Sequence, residues 1–218
     1  IDHVRIANPP WAREKQMLDA DAVEVTIDLR RLWVGEYYLP DVTLTRPRLA
    51  LEISPDGRHN WYLDREQKDE KSALHVGRLQ VDAGDIVFHD PTQKTEIHAK
   101  ISTVNAASGQ ANLVFNATGR LRGLPLKASG TGGPVLALRD DSAPYPIKFH
   151  AAMDRTQVEV DGTVTGLTAL SAADVQLALR GRNFAELYPL LRVALPPTPP
   201  YRIAGHLRQN GNRVEYGR

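Results

Sequence analysis

The chain contains no cysteine among its 218 residues. This absence excludes disulfide bonds, thiolate nucleophiles, and the zinc and iron–sulfur sites that depend on cysteine. No hydrophobic run comes near the roughly 20 residues that a transmembrane helix requires. An excess of one charge is also lacking, since 27 Lys+Arg face 26 Asp+Glu, for a formal net charge of +1. A chain without a strong electrostatic field attracts nucleic acid poorly, so we expect no nucleic-acid partner.

The sequence also lacks the short motifs that accompany common enzyme chemistry. It has no HExxH, P-loop, GxSxG or GxGxxG pattern. Its seven histidines are scattered, and His89 and Asp90 would point to opposite faces of a strand. Asp140 and Asp141 are a carboxylate pair, but the ligand run is too short to define a calcium site. A glycan hydrolase needs two carboxylates across one cleft, and no acidic pair has that context. We therefore predict a protein that is not an enzyme and has no cofactor or metal ion.

Alternating apolar and polar residues are what the sequence has in abundance. The segment from Val42 to Leu63 is the clearest example, because apolar residues occupy alternate positions at Val42 and Leu44 and again at Leu49, Leu51 and Ile53. The Asp56-Gly57 step supplies the positive backbone φ of a tight turn. The pattern predicts a hairpin in which Asn60 to Tyr62 begins the return strand, with Trp61 as a packing anchor. Such a hairpin would present one apolar face.

Similar segments recur along the chain at about ten-residue spacing, separated by turn residues, which predicts an antiparallel all-β architecture. Arg46-Pro47 marks a bulge or sheet edge, and Asp82 to Asp85 predicts a turn. Asp64 to Lys71 is almost wholly charged and predicts a solvated loop. We expect one β-rich domain over 1–218, with a possible subdivision into 1–64 and 72–218 at that loop. Short helices are predicted at Leu29–Val34 and at Phe184–Leu191, the second capped by Asn183, and Ala12–Leu18 is a third candidate.

Two basic pairs and one aromatic cluster allow alternative interpretations. Arg30-Arg31 and Arg46/Arg48 are able to contact lipid headgroups, although solvated faces are the default for such pairs. Trp33, Tyr37 and Tyr38 suit a membrane interface, and they also suit the rim of a sheet core, which is the favoured interpretation.

The ordered string of motifs resembles the N-terminal region of the AsmA-like envelope proteins. The resemblance begins with Asn8-Pro9-Pro10-Trp11, continues through Val23 to Glu52, and includes the DGRHNW run at Asp56 to Trp61. It extends to LQVDAGDIVFHD at Leu79 to Asp90 and to the Leu-rich turn and Pro-rich link between Asn183 and Leu207. Each motif alone is weak, but their order and spacing over nearly the whole chain are specific.

The resemblance implies a protein of the Gram-negative envelope, related to TamB and the chorein-type bridge proteins. Such proteins have a helix in the inner membrane and a periplasmic body whose strongly twisted β-sheet curls into a groove with an apolar concave face. The family is implicated in phospholipid transport and outer-membrane biogenesis. The resemblance therefore implies phospholipid acyl chains as partners, a periplasmic location, an inner-membrane anchor absent from this chain, and contacts with other envelope proteins. The chain begins at Ile1 rather than Met, and we expect it to be a fragment of a longer protein.

The alternating residues themselves leave two outcomes open. They would line a lipid groove, or they would form the core of a closed β-sandwich that acts as a structural or interaction module in the envelope. The two differ in whether the apolar face is open to solvent or filled. The candidate lining residues are Val25, Ile27, Leu44, Leu49, Leu51, Ile86, Phe88, Leu113, Phe115, Phe149, Val160 and Leu177.

Overall fold

The computed structural model describes residues 1–33, 37–61, 74–105, 111–139, 142–166, 171–188, 195–211 and 213–217. Within these ranges the chain is mainly β with very few helices, so the predicted fold class is confirmed. The strands are β1 Asp2–Ala7, β2 Gln16–Val25, β3 Tyr37–Thr45, β4 Arg48–Glu52, β5 Leu74–Asp82, β6 Gly84–Asp90, β7 Thr95–Asn105, β8 Ala111–Leu121, β9 Leu124–Gly132, β10 Tyr145–Met153, β11 Thr156–Thr165, β12 Ala172–Gly181, β13 Tyr201–Asn210 and β14 Arg213–Gly217.

The helical parts are short. One α-helical turn, α1, covers Leu29–Leu32, and 3₁₀ turns cover Val135–Arg139 and Phe184–Leu187. The predicted turn after residue 28 and the Asn183 cap are confirmed, since the Asn183 side chain accepts a hydrogen bond from the Ala185 amide at 2.9 Å. The predicted helix at Ala12–Leu18 is wrong, because the chain bends there and enters β2 at residue 16.

The chain divides into two compact units, Ile1–Ala111 and Asn112–Arg218, called the N-terminal and C-terminal units below. The charged segment 64–71, where a subdivision was predicted, lies outside the described residues. That subdivision therefore stays a prediction.

The C-terminal unit is an antiparallel meander in which each strand from β8 to β14 pairs with the next one along the chain. Tight turns make this order possible. Arg122 and Gly123 between β8 and β9 have φ values of 52° and 82°, the positive pair that a two-residue hairpin turn needs. Gly211 has φ 58° between β13 and β14, a positive value that suits the tight turn joining these two strands.

The N-terminal unit differs from the predicted antiparallel arrangement in two strand pairs. β1 pairs with β2, β2 pairs with β3 and β4, and β6 pairs with β7, all antiparallel. However, β3 pairs with β5 and β4 with β6 in parallel. Parallel neighbours require a connection that crosses back over the sheet instead of a hairpin.

The hairpin predicted after Asp56-Gly57 is correspondingly wrong. The turn itself forms, with Gly57 at φ 83°, but as far as residue 61 its return is limited to an isolated bridge between Ile53 and His59. Tyr62 and Leu63 lie outside the described residues. The Asn60 side chain takes the hydrogen bonds that a return strand would make. It accepts from the Glu52 amide at 2.8 Å and donates to the Ala50 carbonyl at 2.7 Å.

In the N-terminal unit, β3 and β4 together form one long strand, and β5 and β6 form its neighbour. Both long strands kink at the same position of their shared ladder. Thr45 pairs with Asp82 before the kink and Arg48 with Asp85 after it, so the parallel register does not change. Hydrogen bonds of 2.8 Å continue across the kink from the Arg46 amide to the Asp82 carbonyl and from the Asp85 amide to the Pro47 carbonyl. The bulge or sheet edge predicted at Arg46-Pro47 is instead this kink, because the register with β2 and with β5 and β6 is unchanged. The turn predicted at Asp82 to Asp85 is the same kink in a continuing strand.

Candidate functional site: apolar sheet faces

The C-terminal unit presents one apolar sheet face, built from residues that pair in register across six strands. Directly opposed residues of an antiparallel sheet point to the same side. Every position in three successive rows is Gly, Ala, Val, Leu, Ile or Phe, and we call these rows the C-terminal apolar face. The middle row is Phe115, Gly130, Phe149, Val160, Leu177 and Gly205, and the flanking rows are Leu113, Gly132, Ile147, Gly162, Val175 and Leu207 on one side and Ala117, Ala128, Ala151, Val158, Leu179 and Ile203 on the other.

Five predicted lining residues are therefore brought together. Four of them, Phe115, Phe149, Val160 and Leu177, share the middle row, and Leu113 lies in a flanking row. Gly130 keeps the middle row close-packed, because a Cβ at this position would lie 2.6 Å from the Phe149 Cβ. The alternation seen in the sequence thus produces a continuous surface, as the pleat of a sheet requires.

This surface is left half-exposed. None of the twelve predicted lining residues is fully buried; ten are half-buried, and Val25 and Ile27 are 39% and 53% exposed. The core of a closed sandwich would bury such side chains almost completely between its two inner faces. The exposures therefore favour an open face over a filled core.

Both ends of the C-terminal apolar face are covered. At one end Tyr145, Val164, Ala173 and Val175 form a buried cluster, against which Ala137 of the first 3₁₀ turn packs. The Tyr145 hydroxyl donates to the Gly133 carbonyl at 2.9 Å, and burial raises the pKa of Tyr145 to about 12.

At the other end the second 3₁₀ turn supplies the cover. Its Leu187 is buried, and the Phe184 ring packs on Tyr201 with centroids 4.2 Å apart. Between these two covered ends, Phe115, Phe149, Val160 and Leu177 of the middle row stay half-exposed.

The opposite face of the same unit is polar. Lys148 donates to Asp161 at 2.7 Å, and this hydrogen bond raises the pKa of Lys148. The hydrogen bond from His206 holds the pKa of the Asp174 carboxyl below its usual value. A depression of about 580 Å³ lies on this side among Lys148, His150 and Asp161. Its charged side chains pair across strands, as on an ordinary solvated sheet face.

The N-terminal unit carries a second apolar surface, which we call the N-terminal apolar face. After the kink, Leu49 pairs with Ile86 and Leu51 with Phe88, so these four predicted lining residues form two adjacent rows. Trp61 packs near the outer row, with its ring centroid 6.4 Å from that of Phe88.

The face continues on the other side of the kink. Leu44 pairs with Val81, which is 4% exposed. A Cβ on Gly84 would lie 2.8 Å from both the Val81 and the Ile101 Cγ1 atoms, so side chains from before and after the kink meet there. The left-handed residues Arg46 (φ 45°) and Ala83 (φ 50°) shift the apolar alternation by one residue at this point.

The last two predicted lining residues lie at the end of this surface. Val25 pairs with Val42 in the terminal row, and Ile27 lies beyond β2, outside the ladder. Ile27 is therefore not part of the paired apolar rows.

A buried polar cluster stabilises the opposite side of the N-terminal unit, and the sequence did not reveal it. The Glu52 carboxylate, 5% exposed, accepts from the Arg13 and Glu14 amides at 2.9 and 3.0 Å. Asn60 is 1% exposed and also donates to Asn8 at 2.7 Å. The NPPW and DGRHNW motifs thus meet in space and hold the segment before β2 against β4.

The described residues offer no arrangement for metal or membrane-spanning roles. No group of three or more His, Cys, Asp or Glu side chains is assembled within the described ranges to hold a metal ion. The Asp140-Asp141 pair lies outside those ranges. Where the structure describes helices, none has the length and apolar character needed to cross a bilayer.

Comparison with known proteins points to the same family as the resemblance inferred from the order of the motifs. Over 231 residues the chain is 27% identical to the AsmA family protein YhjG of Escherichia coli strain K12. The chain is therefore similar to a member of the AsmA family. The match covers 94% of this chain but 34% of that protein, so the chain spans about a third of the length of its AsmA family relative. Neither a protein-family model nor a solved structure matches the chain. The predicted AsmA-like resemblance is thereby confirmed.

Proposed function

We propose that this chain is a non-catalytic periplasmic part of an AsmA-like envelope protein, and that it binds phospholipid acyl chains on its apolar sheet faces. In the full-length protein this part would be anchored to the inner membrane and would serve lipid transport in outer-membrane biogenesis. The AsmA-like match supports an envelope protein. The specific role in lipid binding rests on the apolar faces.

The observation that carries the proposal is the in-register middle row of the C-terminal apolar face. Its six strands at a spacing of about 4.8 Å give a row about 24 Å long. One leaflet of a hydrocarbon core about 30 Å thick holds acyl chains about 15 Å deep. The row is therefore long enough for one acyl chain lying across the strands.

The energetics favour such binding without any charged or catalytic group. Each methylene removed from water contributes about 0.8 kcal/mol. Eight buried methylenes would contribute roughly 6 kcal/mol, before the cost of ordering the chain is subtracted. A half-exposed apolar face is thus a favourable surface for a hydrocarbon.

Adjacent residues on β12 provide a matched test. Leu177 lies in the middle row, and Gln176 points to the polar face. Leu177→Glu introduces a carboxylate that an acyl chain would have to desolvate. We expect native mass spectrometry of detergent-free protein to find phospholipid bound to the wild type and to Gln176→Glu, with roughly tenfold less on Leu177→Glu.

Circular dichroism spectra of both variants serve as the folding control. Equal lipid content in the two folded variants, or no lipid on the wild type, would overturn acyl-chain binding on the C-terminal apolar face.

A further inference from the structure

The N-terminal apolar face ends in an exposed tip, which we call the Trp33 tip, formed by Val25, Ile27, Leu29, Arg30 and Trp33. The exposed fraction rises along the chain, from 39% at Val25 and 53% at Ile27 to 64% at Leu29 and 90% at Trp33. Apolar side chains exposed singly are ordinary, but four of them within nine consecutive residues point to a contact surface. Ile27, Leu29 and Trp33 lie beyond the end of β2, so acyl-chain binding along the sheet does not explain why they are apolar and exposed.

The backbone of the tip is held in place. The Asp28 carboxylate caps α1 by accepting from the Arg30 and Arg31 amides at 3.0 and 3.3 Å. The Trp33 amide donates to the Leu29 carbonyl at 3.2 Å, and the Arg31 guanidinium lies 4.3 Å from the centre of the Tyr38 ring. The capped helical turn α1 therefore fixes the backbone from which Leu29 and Trp33 project.

The chemistry of the tip matches the surface of a phospholipid bilayer. Tryptophan, with an apolar body and one N–H donor, is enriched at the membrane interface. Arg30 is exposed, and within the described residues its guanidinium forms no ion pair. The nearby Asp28 carboxylate is turned toward the backbone of α1. A cation beside an exposed Trp and Leu complements lipid phosphates above an acyl layer.

The tip also adjoins the sheet surface that would receive a lipid. Val25 pairs with Val42, and Val42 pairs with Leu79, so the terminal row of the N-terminal apolar face leads directly into the tip. An acyl chain passing from a bilayer onto this row would not have to cross water.

We propose that the Trp33 tip docks onto a phospholipid bilayer, with Leu29 and Trp33 entering the interface and Arg30 contacting lipid phosphates. The proposal rests on the proposed function and adds to it the place where lipid enters the N-terminal apolar face. The occupant is a membrane surface, because Arg30, which has no ion pair among the described residues, lies among apolar side chains, where it is suited to phosphate and is costly to bury against an identical tip.

The test is flotation of the intact chain with vesicles of phosphatidylethanolamine and phosphatidylglycerol. We expect the double variant Leu29→Ala/Trp33→Ala to bind vesicles about tenfold less than the wild type, because the apolar contact area is removed. The matched control is Tyr188→Ala, which truncates an aromatic residue that is 56% exposed in the C-terminal unit. It should bind vesicles as the wild type does.

A second readout separates this proposal from the proposed function. Binding of a fluorescent fatty acid in vesicle-free buffer reports the apolar faces, and the tip variant should retain it. Vesicle binding unchanged in the tip variant, or absent in the wild type, overturns the docking proposal even where fatty-acid binding persists. Trp33-dependent vesicle binding without fatty-acid binding supports docking and overturns the proposed function.

Sedimentation velocity tests whether the tip is instead a contact between copies of the chain. If the tip variant abolishes self-association and binds vesicles normally, the tip is such a contact and the docking proposal is wrong.

Discussion

At the scale of single residues, Asn60 has the most extensive role among the described side chains of the N-terminal unit. It connects the end of β4, the turn that follows it and the segment around Asn8 through side-chain hydrogen bonds of 2.7 to 2.8 Å. Such a buried side chain is costly to truncate, because each partner left without a hydrogen bond retains its desolvation penalty.

We expect Asn60→Ala to lower the free energy of unfolding by about 3 kcal/mol, since three buried hydrogen bonds are lost. Urea denaturation followed by circular dichroism measures this change. Asn116→Ala, at an exposed position on β8, should change the value by less than about 0.5 kcal/mol. A similar small effect at Asn60 would show that the polar cluster does not stabilise the unit.

The sequence identified the motif around Asn60 but not its role. Asp56-Gly57 predicted a turn correctly, and Trp61 does pack beside Phe88. Asn60 and Trp61 do not form the predicted return strand, and the Asn60 side chain supplies two of the hydrogen bonds at the end of β4. A local sequence pattern contains no information on a partner such as Asn8, 52 positions away.

At the scale of elements, the coupled kink of β3/β4 and β5/β6 is the feature that alternation alone predicts least well. Period-two patterns identified strands on both sides, and Arg46-Pro47 indicated a bulge. The second half of the kink was interpreted as a turn, because Asp82-Ala83-Gly84-Asp85 has the composition of one. The parallel ladder, whose register does not change, keeps the chain extended there.

Two neighbouring substitutions test this kink in opposite directions. Ala83 has φ 50°, a conformation that costs a residue with a Cβ about 1 kcal/mol, so Ala83→Gly should stabilise the protein by up to that amount. Gly84→Ala should destabilise it by about 2 kcal/mol, since the new Cβ would lie 2.8 Å from Val81 and Ile101. Thermal unfolding of both variants measures the difference. If both changes destabilise alike, the left-handed backbone at residue 83 is not a source of strain.

At the scale of the whole molecule, each of the two units has a sheet with one apolar face, and the predicted lining residues on these faces are half-buried or exposed. The existence of these apolar faces follows from the sequence, because side chains alternate within each strand and a one-residue shift in pairing would reverse the face. Five of the twelve predicted lining residues lie together in the C-terminal unit, and four pair in two rows after the kink. Whether the face was open or filled depends on contacts between distant segments, which periodicity does not encode.

Photo-crosslinking in the intact chain tests the account most directly. A benzophenone side chain at Phe115 would lie in the middle row of the C-terminal apolar face, and one at Asn116 would point to the polar face of the same strand. Irradiation after incubation with phospholipid, followed by mass spectrometry, reports the attached molecule. The account predicts a phospholipid adduct at position 115 and none at 116. Equal labelling at both positions, or none at 115, would contradict lipid binding on this face.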